Sequence, residues 1–183
     1  VKKILITGAN GFLGSAITKL GIKKGFKVSI LVRKNSNLIN LKPFLSKLKV
    51  YYGNLEDIES LNQPIKDNDV IFHVAADYRL WSRKPAEIYA ANVLGTENIA
   101  LKTLTHNKIL IYTSSVATLK LKKDFISDEN SVAKFDDMVG DYKKSKFLAE
   151  KIISSFIKKK KLKAIIVNPS TPIGQGDIKP TPT

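Results

Sequence analysis

Tyr142 and Lys146 stand four residues apart in a segment whose small and apolar positions, Ser145, Leu148, Ala149, Ile152, Ile153 and Phe156, recur at steps of three and four. The spacing predicts a helix beginning after Gly140, with the phenol and the amine on one face and within reach of a shared ligand. In a chain this rich in lysine, a Tyr-x-x-x-Lys pair arises by chance about once, so its position carries the information. The pair follows Thr113-Ser114-Ser115, which ends a predicted strand, and open α/β sheets collect their ligands at the C-terminal ends of strands. A phenol beside an ammonium is expected to release its proton more readily, and so to exchange it with an alcohol or carbonyl near neutral pH. The Ser115 hydroxyl can hold the substrate oxygen. Positioned proton transfer of this kind contributes roughly 10² to 10⁴ in rate, which leaves hydride transfer to a cofactor.

A place for that cofactor lies at the other end of the sequence. Thr7-Gly8-Ala9-Asn10-Gly11-Phe12-Leu13-Gly14 follows the apolar run Ile4 to Ile6 and precedes a helical pattern through Ile17 and Leu20. Three glycines at this spacing permit a tight turn and close backbone approach, and the helix N-terminus offers free N–H groups to a pyrophosphate. The second apolar run ends Leu31-Val32-Arg33-Lys34-Asn35. An acidic residue here would accept from a ribose 2′-OH; two cations instead favour a 2′-phosphate, hence NADP(H), with NAD possible and with stacking of Arg33 on adenine as the other use of that side chain.

These residues need a scaffold, and the chain has one domain's worth of sequence, 183 residues with 43% hydrophobic and 26% charged. The runs Ile4 to Ile6, Val28 to Val32, Val70 to Ala76, Ile109 to Tyr112 and Ala164 to Val167, with a weaker one at Val50 to Tyr52, are continuous rather than alternating, which suits strands buried on both faces. Helical segments between them predict an α/β fold with a doubly wound parallel sheet.

The absence of cysteine excludes disulfides, thiolate zinc sites, iron–sulfur clusters and a cysteine nucleophile. His73 reads as a packed strand residue and His106 as the start of a turn, so no metal site is expected. No apolar run approaches the roughly 20 residues of a membrane helix, and a cytoplasmic protein is expected. The net charge of +15 includes only three arginines, Arg33, Arg79 and Arg83, so lysine bias is a better account of it than a nucleic-acid surface. The run Lys158 to Lys161 falls where a helix should end and complements its dipole.

Together, the glycine loop, the Ser115 region and Tyr142 with Lys146 resemble the extended short-chain dehydrogenases/reductases, the NAD(P)-dependent epimerase/dehydratase family. His73 to Trp81, Tyr89 to Thr96, Asn168 to Gly174 and Lys179 to Thr183 are similar to hopanoid-associated sugar epimerases, with plant dihydroflavonol reductases a more distant likeness. The resemblance implies a Rossmann fold and a catalytic set of Ser115, Tyr142 and Lys146, with Lys146 also holding the nicotinamide ribose. It implies cofactor contacts from Gly8, Asn10, Gly11, Phe12, Leu13, Gly14 and Arg33. It puts Asn54 and Leu55 near adenine, Ala75 and Ala76 along the dinucleotide, and Pro169 by the nicotinamide; Asn54 replaces the family's usual aspartate. Asn92 is implied to organise the site. Asp77 and Tyr78, in the stretch ending at Trp81, are expected either to wall the substrate pocket or to form a surface loop packed by its aromatics.

The resemblance further implies a homodimer through the helices carrying Asn92 and Tyr142, and a sugar-like or hopanoid-linked substrate altered at a hydroxyl or keto group. An NADPH-dependent carbonyl reductase and a non-catalytic dinucleotide sensor are the alternatives. Residues 1–168 are expected to form the dinucleotide-binding domain, with 169–183 a loop leading to a substrate-binding part that the fragment lacks.

Overall fold

A computed structural model describes residues 1–121 and 126–178. Six parallel strands, β1 Lys3–Thr7, β2 Lys27–Val32, β3 Leu48–Tyr52, β4 Val70–His73, β5 Ile109–Thr113 and β6 Ala164–Val167, form one sheet in the order β3-β2-β1-β4-β5-β6. The order reverses between β1 and β4, and this opens a crevice at the C-terminal ends of those strands.

The helices are α1 Phe12–Lys23, α2 Asn62–Lys66, α3 Pro85–Tyr89, α4 Gly95–Thr105 and α5 Gly140–Lys160, with a π-helical turn, Ala90–Leu94, joining α3 to α4. They cover the two faces of the sheet with separate cores. On one, Leu5, Ile71, Leu110 and Tyr112 pack with Ile99, Ala149, Ile153 and Phe156; on the other, Ile4, Ile6, Val28, Ile30 and Val32 pack with Leu41 and Ile17. Gly21 lets α1 lie against the sheet, because a Cβ there would come within 2.9 Å of the Ile4 side chain.

Burial on both faces holds for the central strands only. In β6, Ile165 and Val167 remain 58% and 45% exposed, because this strand is an edge with one face uncovered. The run Val70 to Ala76 is a strand only as far as His73; Val74, Ala75 and Ala76 continue as loop past the sheet, where they border the crevice. Helix α5 starts at Gly140 itself, whose φ of 81° bends the incoming chain, and ends in the expected lysine run with Lys161 left-handed at its C-cap. After Asn168 the described residues form no helix or strand. Lys179 to Thr183, part of the resemblance above, lie outside the described residues.

Candidate active site at the switch point

The turn after β1 is held open by its glycines. Gly8 has φ +68°, and a Cβ on it would stand 2.6 Å from the backbone N and Cα of Ala75. A Cβ on Gly14 would stand 2.1 Å from the Gly8 carbonyl oxygen, so α1 can approach the turn only with glycine there. The Gly11 N–H donates back to that carbonyl at 3.0 Å. Gly11 caps α1 with no side-chain hydrogen bond, leaving the first-turn N–H groups and their partial positive charge for an anion. Asn10 reaches the Asn37 carbonyl at 3.4 Å, Leu13 is half-buried, and the Phe12 ring lies beside Gly174. Thr7 accepts from the Ala75 N–H at 3.3 Å, so Ala75 and Ala76 run alongside the turn. This cradle fits the diphosphate of a dinucleotide.

Beyond the end of β2, a cavity of about 410 Å³ is lined by Arg33, Lys34, Tyr52, Gly53, Asn54, Asp57 and Ser60. Asn54 is held there by reciprocal bonds with Ser60: its N–H donates to the hydroxyl at 3.1 Å and its carbonyl accepts from it at 3.0 Å. Leu55 turns away from this cavity and packs against Gly95.

On the other side of the switch point, Ser115, Tyr142 and Lys146 stand around the end of β5. Ser115 follows β5 in extended backbone and caps a 3₁₀ turn, Val116–Thr118, accepting from the Ala117 N–H at 3.1 Å. Its hydroxyl is near enough to the Tyr142 phenol to favour the phenolate. Pro169 adjoins this turn, its carbonyl accepting from the Val116 N–H at 3.2 Å. Lys146 is buried, and its ammonium donates to the Thr113 carbonyl at 2.7 Å and the Tyr112 phenol at 3.0 Å.

The expected lowering of the Tyr142 pKa is not found. Burial raises it, and the nearby Ser115 hydroxyl offsets only part of that. The physical reason is that the Lys146 charge is spent on β5, and burial brings the amine itself down to about 8, against the opposing charge of Glu150. Sequence reasoning missed Tyr112; its signal was a phenol ending an aliphatic run in β5, one residue before Thr113.

Asn92, buried in the π-helical turn, makes a two-way pair with the backbone of Asp77, accepting from its N–H at 2.7 Å and donating to its carbonyl at 2.8 Å. It also donates to Ser145 Oγ at 2.9 Å. The Asp77 carboxylate is clasped by Arg79, whose guanidinium also reaches Glu87 at 3.0 Å. Burial pushes the Asp77 pKa up, but the Arg79 bonds win and lower it overall. Tyr78 and Trp81 in the same loop are 44% and 73% exposed, so the aromatics are not packed beneath it.

His73 is a packed strand residue, its ring nitrogens 2.8 Å from Thr7 Oγ1 and 3.0 Å from Thr96 Oγ1. Burial, helped by the Lys146 charge, lowers its pKa to about 3, so it is neutral here. His106 closes α4 and meets Asn62 at 2.9 Å.

Comparison with known proteins identifies the class. The model of the NAD dependent epimerase/dehydratase family matches residues 4–183, and the chain belongs to that family. A Synechocystis sp. protein named "Putative dihydroflavonol 4-reductase" is 38% identical over 97% of this chain and 51% of its own length. An anthocyanidin reductase of Vitis vinifera is 29% identical over 94% of this chain and 56% of its own. The crystal structure of gox2253 superposes with a TM-score of 0.92 at 41% identity, covering 100% of this chain and 55% of that one. The chain thus spans about half the length of the relatives it matches. A nicotinamide dinucleotide is the cofactor of such a family, and its enzymes are epimerases, dehydratases and reductases. Among the described residues, no helix is long and apolar enough to cross a membrane.

Proposed function

We propose that the chain carries the cofactor-binding and proton-transfer part of an NADP(H)-dependent carbonyl reductase. The observation that carries this reading is the convergence of Ser115, Tyr142 and Lys146 at the end of β5, across the crevice from the glycine cradle. A nicotinamide dinucleotide held by the glycine cradle would supply hydride for reduction of a carbonyl. The Tyr142 phenol gives its proton to the carbonyl oxygen, yielding the alcohol, and takes one back in the reverse direction. Ser115 would hold that oxygen, and Lys146 would hold the nicotinamide ribose, the role the family resemblance implies.

Relatives named as reductases support reduction over epimerisation of a sugar-like or hopanoid-linked substrate, which uses the same side chains. Arg33 and Lys34, with no carboxylate in the last turn of chain after β2, favour the 2′-phosphate of NADP(H). Exposed Leu94, in the turn that carries Asn92, and exposed Leu101 on α4 support a homodimer through the helices carrying Asn92 and Tyr142.

Isothermal titration of the chain with NADPH and NADH tests the reading. NADPH is expected to bind several-fold more tightly, and Arg33→Asp to abolish the difference; equal affinities in the parent chain, or a ratio untouched by Arg33→Asp, refute the phosphate assignment. A ketone-dependent loss of NADPH absorbance supports reduction, whereas substrate turnover without net cofactor change supports epimerisation.

A further inference from the structure

Glu150 lies one helical turn beyond Lys146 on α5 and takes no part in the chemistry above. Its Oε2 gathers hydrogen bonds from three segments distant in sequence. The Ser114 hydroxyl donates from the end of β5, the Thr118 hydroxyl lies at 2.9 Å in the 3₁₀ turn, and Asn168 Nδ2 lies at 2.9 Å just past β6. Two of these donors also reach the Ser115 carbonyl oxygen: Asn168 Nδ2 at 3.0 Å, and Thr118 Oγ1 at 2.7 Å, whose one proton is shared between that carbonyl and Glu150. The backbone of the serine is thereby pinned from two sides, and Asn168 leads directly into Pro169, whose carbonyl holds the Val116 N–H. A carboxylate suits this position because it accepts from several donors and offers none; an amide of the same shape would present N–H groups of its own.

We propose that Glu150 is a positioning residue whose single charged acceptor locks the Ser115 turn, the exit of β6 and α5 into one geometry while facing Lys146 with negative charge. The proposal rests on the reading of Ser115, Tyr142 and Lys146 as the proton-transfer set. Among the described residues, the titratable groups coupled to Lys146 are Glu150 on α5 and His73 on β4, with Tyr112 on β5 bonded to its ammonium. His73 and Tyr112 are held neutral by burial, so Glu150 is the partner that favours the lysine's charge. Burial lowers the lysine to about 8 and Glu150 opposes that fall, so loss of the carboxylate would leave more of the amine neutral at working pH.

The test is an NMR titration of the whole chain with ¹³C-labelled lysine. The Lys146 Cε signal, identified by its loss in Lys146→Arg, should titrate well below exposed lysines, which do so at about 10.4. Glu150→Gln is expected to lower that midpoint by about half a unit or more and to speed exchange of the Val116, Ala117 and Thr118 amides about tenfold. Glu150→Asp keeps the charge but shortens the reach, so the midpoint should stay near the parent's while exchange still quickens; this variant decides the matter if the glutamine variant fails to fold. An unchanged midpoint together with unchanged exchange in Glu150→Gln overturns the proposal, as does unchanged exchange in Glu150→Asp. NADPH titration of the parent chain reports separately on function: binding without any response to Glu150→Gln removes this inference alone, and no binding with a full response removes the functional reading alone.

Discussion

The Lys146 ammonium lies 3.0 Å from the Tyr112 hydroxyl and 4.6 Å from the centre of the same ring. One buried side chain thus offers the cation both an acceptor and a π-face. Burial raises the Tyr112 pKa and keeps the phenol neutral, so it accepts from the lysine without competing for its charge. Tyr112→Phe keeps the ring and removes the acceptor. It is expected to cost about 1 kcal/mol in stability, read from urea unfolding, and to lower the Lys146 titration midpoint; an unchanged midpoint would show that the Thr113 carbonyl alone sets it.

Tyr142→Phe deletes the proton carrier and keeps the ring. It should leave NADPH affinity within about twofold of the parent while reducing kcat by about 10² to 10⁴. Affinity is measured on this chain and turnover also on a version extended to the relatives' length. Near-normal kcat in the phenylalanine variant would assign the proton to another group.

His73 gives the fold a defined acid sensitivity. Its folded pKa of about 3 lies below the unfolded value of about 6.5, so the unfolded chain binds the extra proton between those limits and stability falls as pH drops through that window. From pH 6.5 to 4.5 the loss should be about 2 kcal/mol, a range in which most carboxylates remain ionised. His73→Gln should flatten this part of the stability profile in urea titrations at the two pH values. A slope equal to the parent's would assign the loss to other groups.

Gly8→Ala introduces a Cβ where φ is +68° and Ala75 backbone atoms stand 2.6 Å away. The left-handed backbone and the collision together should destabilise the chain by about 2 kcal/mol or more. NADPH binding should weaken as well, because relief requires the turn to move away from the Ala75 segment that follows β4. Thermal melting and titration check the two effects.

Much of this architecture was legible because its signals are local. The strand runs are continuous in Ile and Val, the glycines precede a helix, and Tyr142 and Lys146 fall on one stripe of α5. What escaped was set by tertiary contact. No pattern in the sequence says that Lys146 turns toward Tyr112 and Thr113, since the strand residues that capture it are more than thirty positions away. For the same reason the neighbouring ammonium was expected to lower the Tyr142 phenol, whereas burial raises it. Glu150 was visible as a third member of the series at steps of four, yet its partners Ser114, Thr118 and Asn168 meet only when β5, β6 and α5 are assembled. The uncovered face of β6 was hidden because Ala164 to Val167 reads as apolar on both sides.

The wide turn at Ala90–Leu94 sets an angular phase. Its hydrogen bonds span five residues rather than four, so it accommodates one residue more than an α-helical path of the same length. Removing one residue there would close the turn to an α-helical path of the same length, leaving α4 in phase with α3 but turning residues within Ala90–Leu94 by about 100°. Asn92 would then no longer face both Asp77 and Ser145, while Gly95 would keep its bare side toward Leu55. The alignment of the loop at Asp77 with α5 is therefore kept by residue count as much as by residue type, and length changes within Tyr89 to Thr96 should be tolerated far less than substitutions on its exposed side.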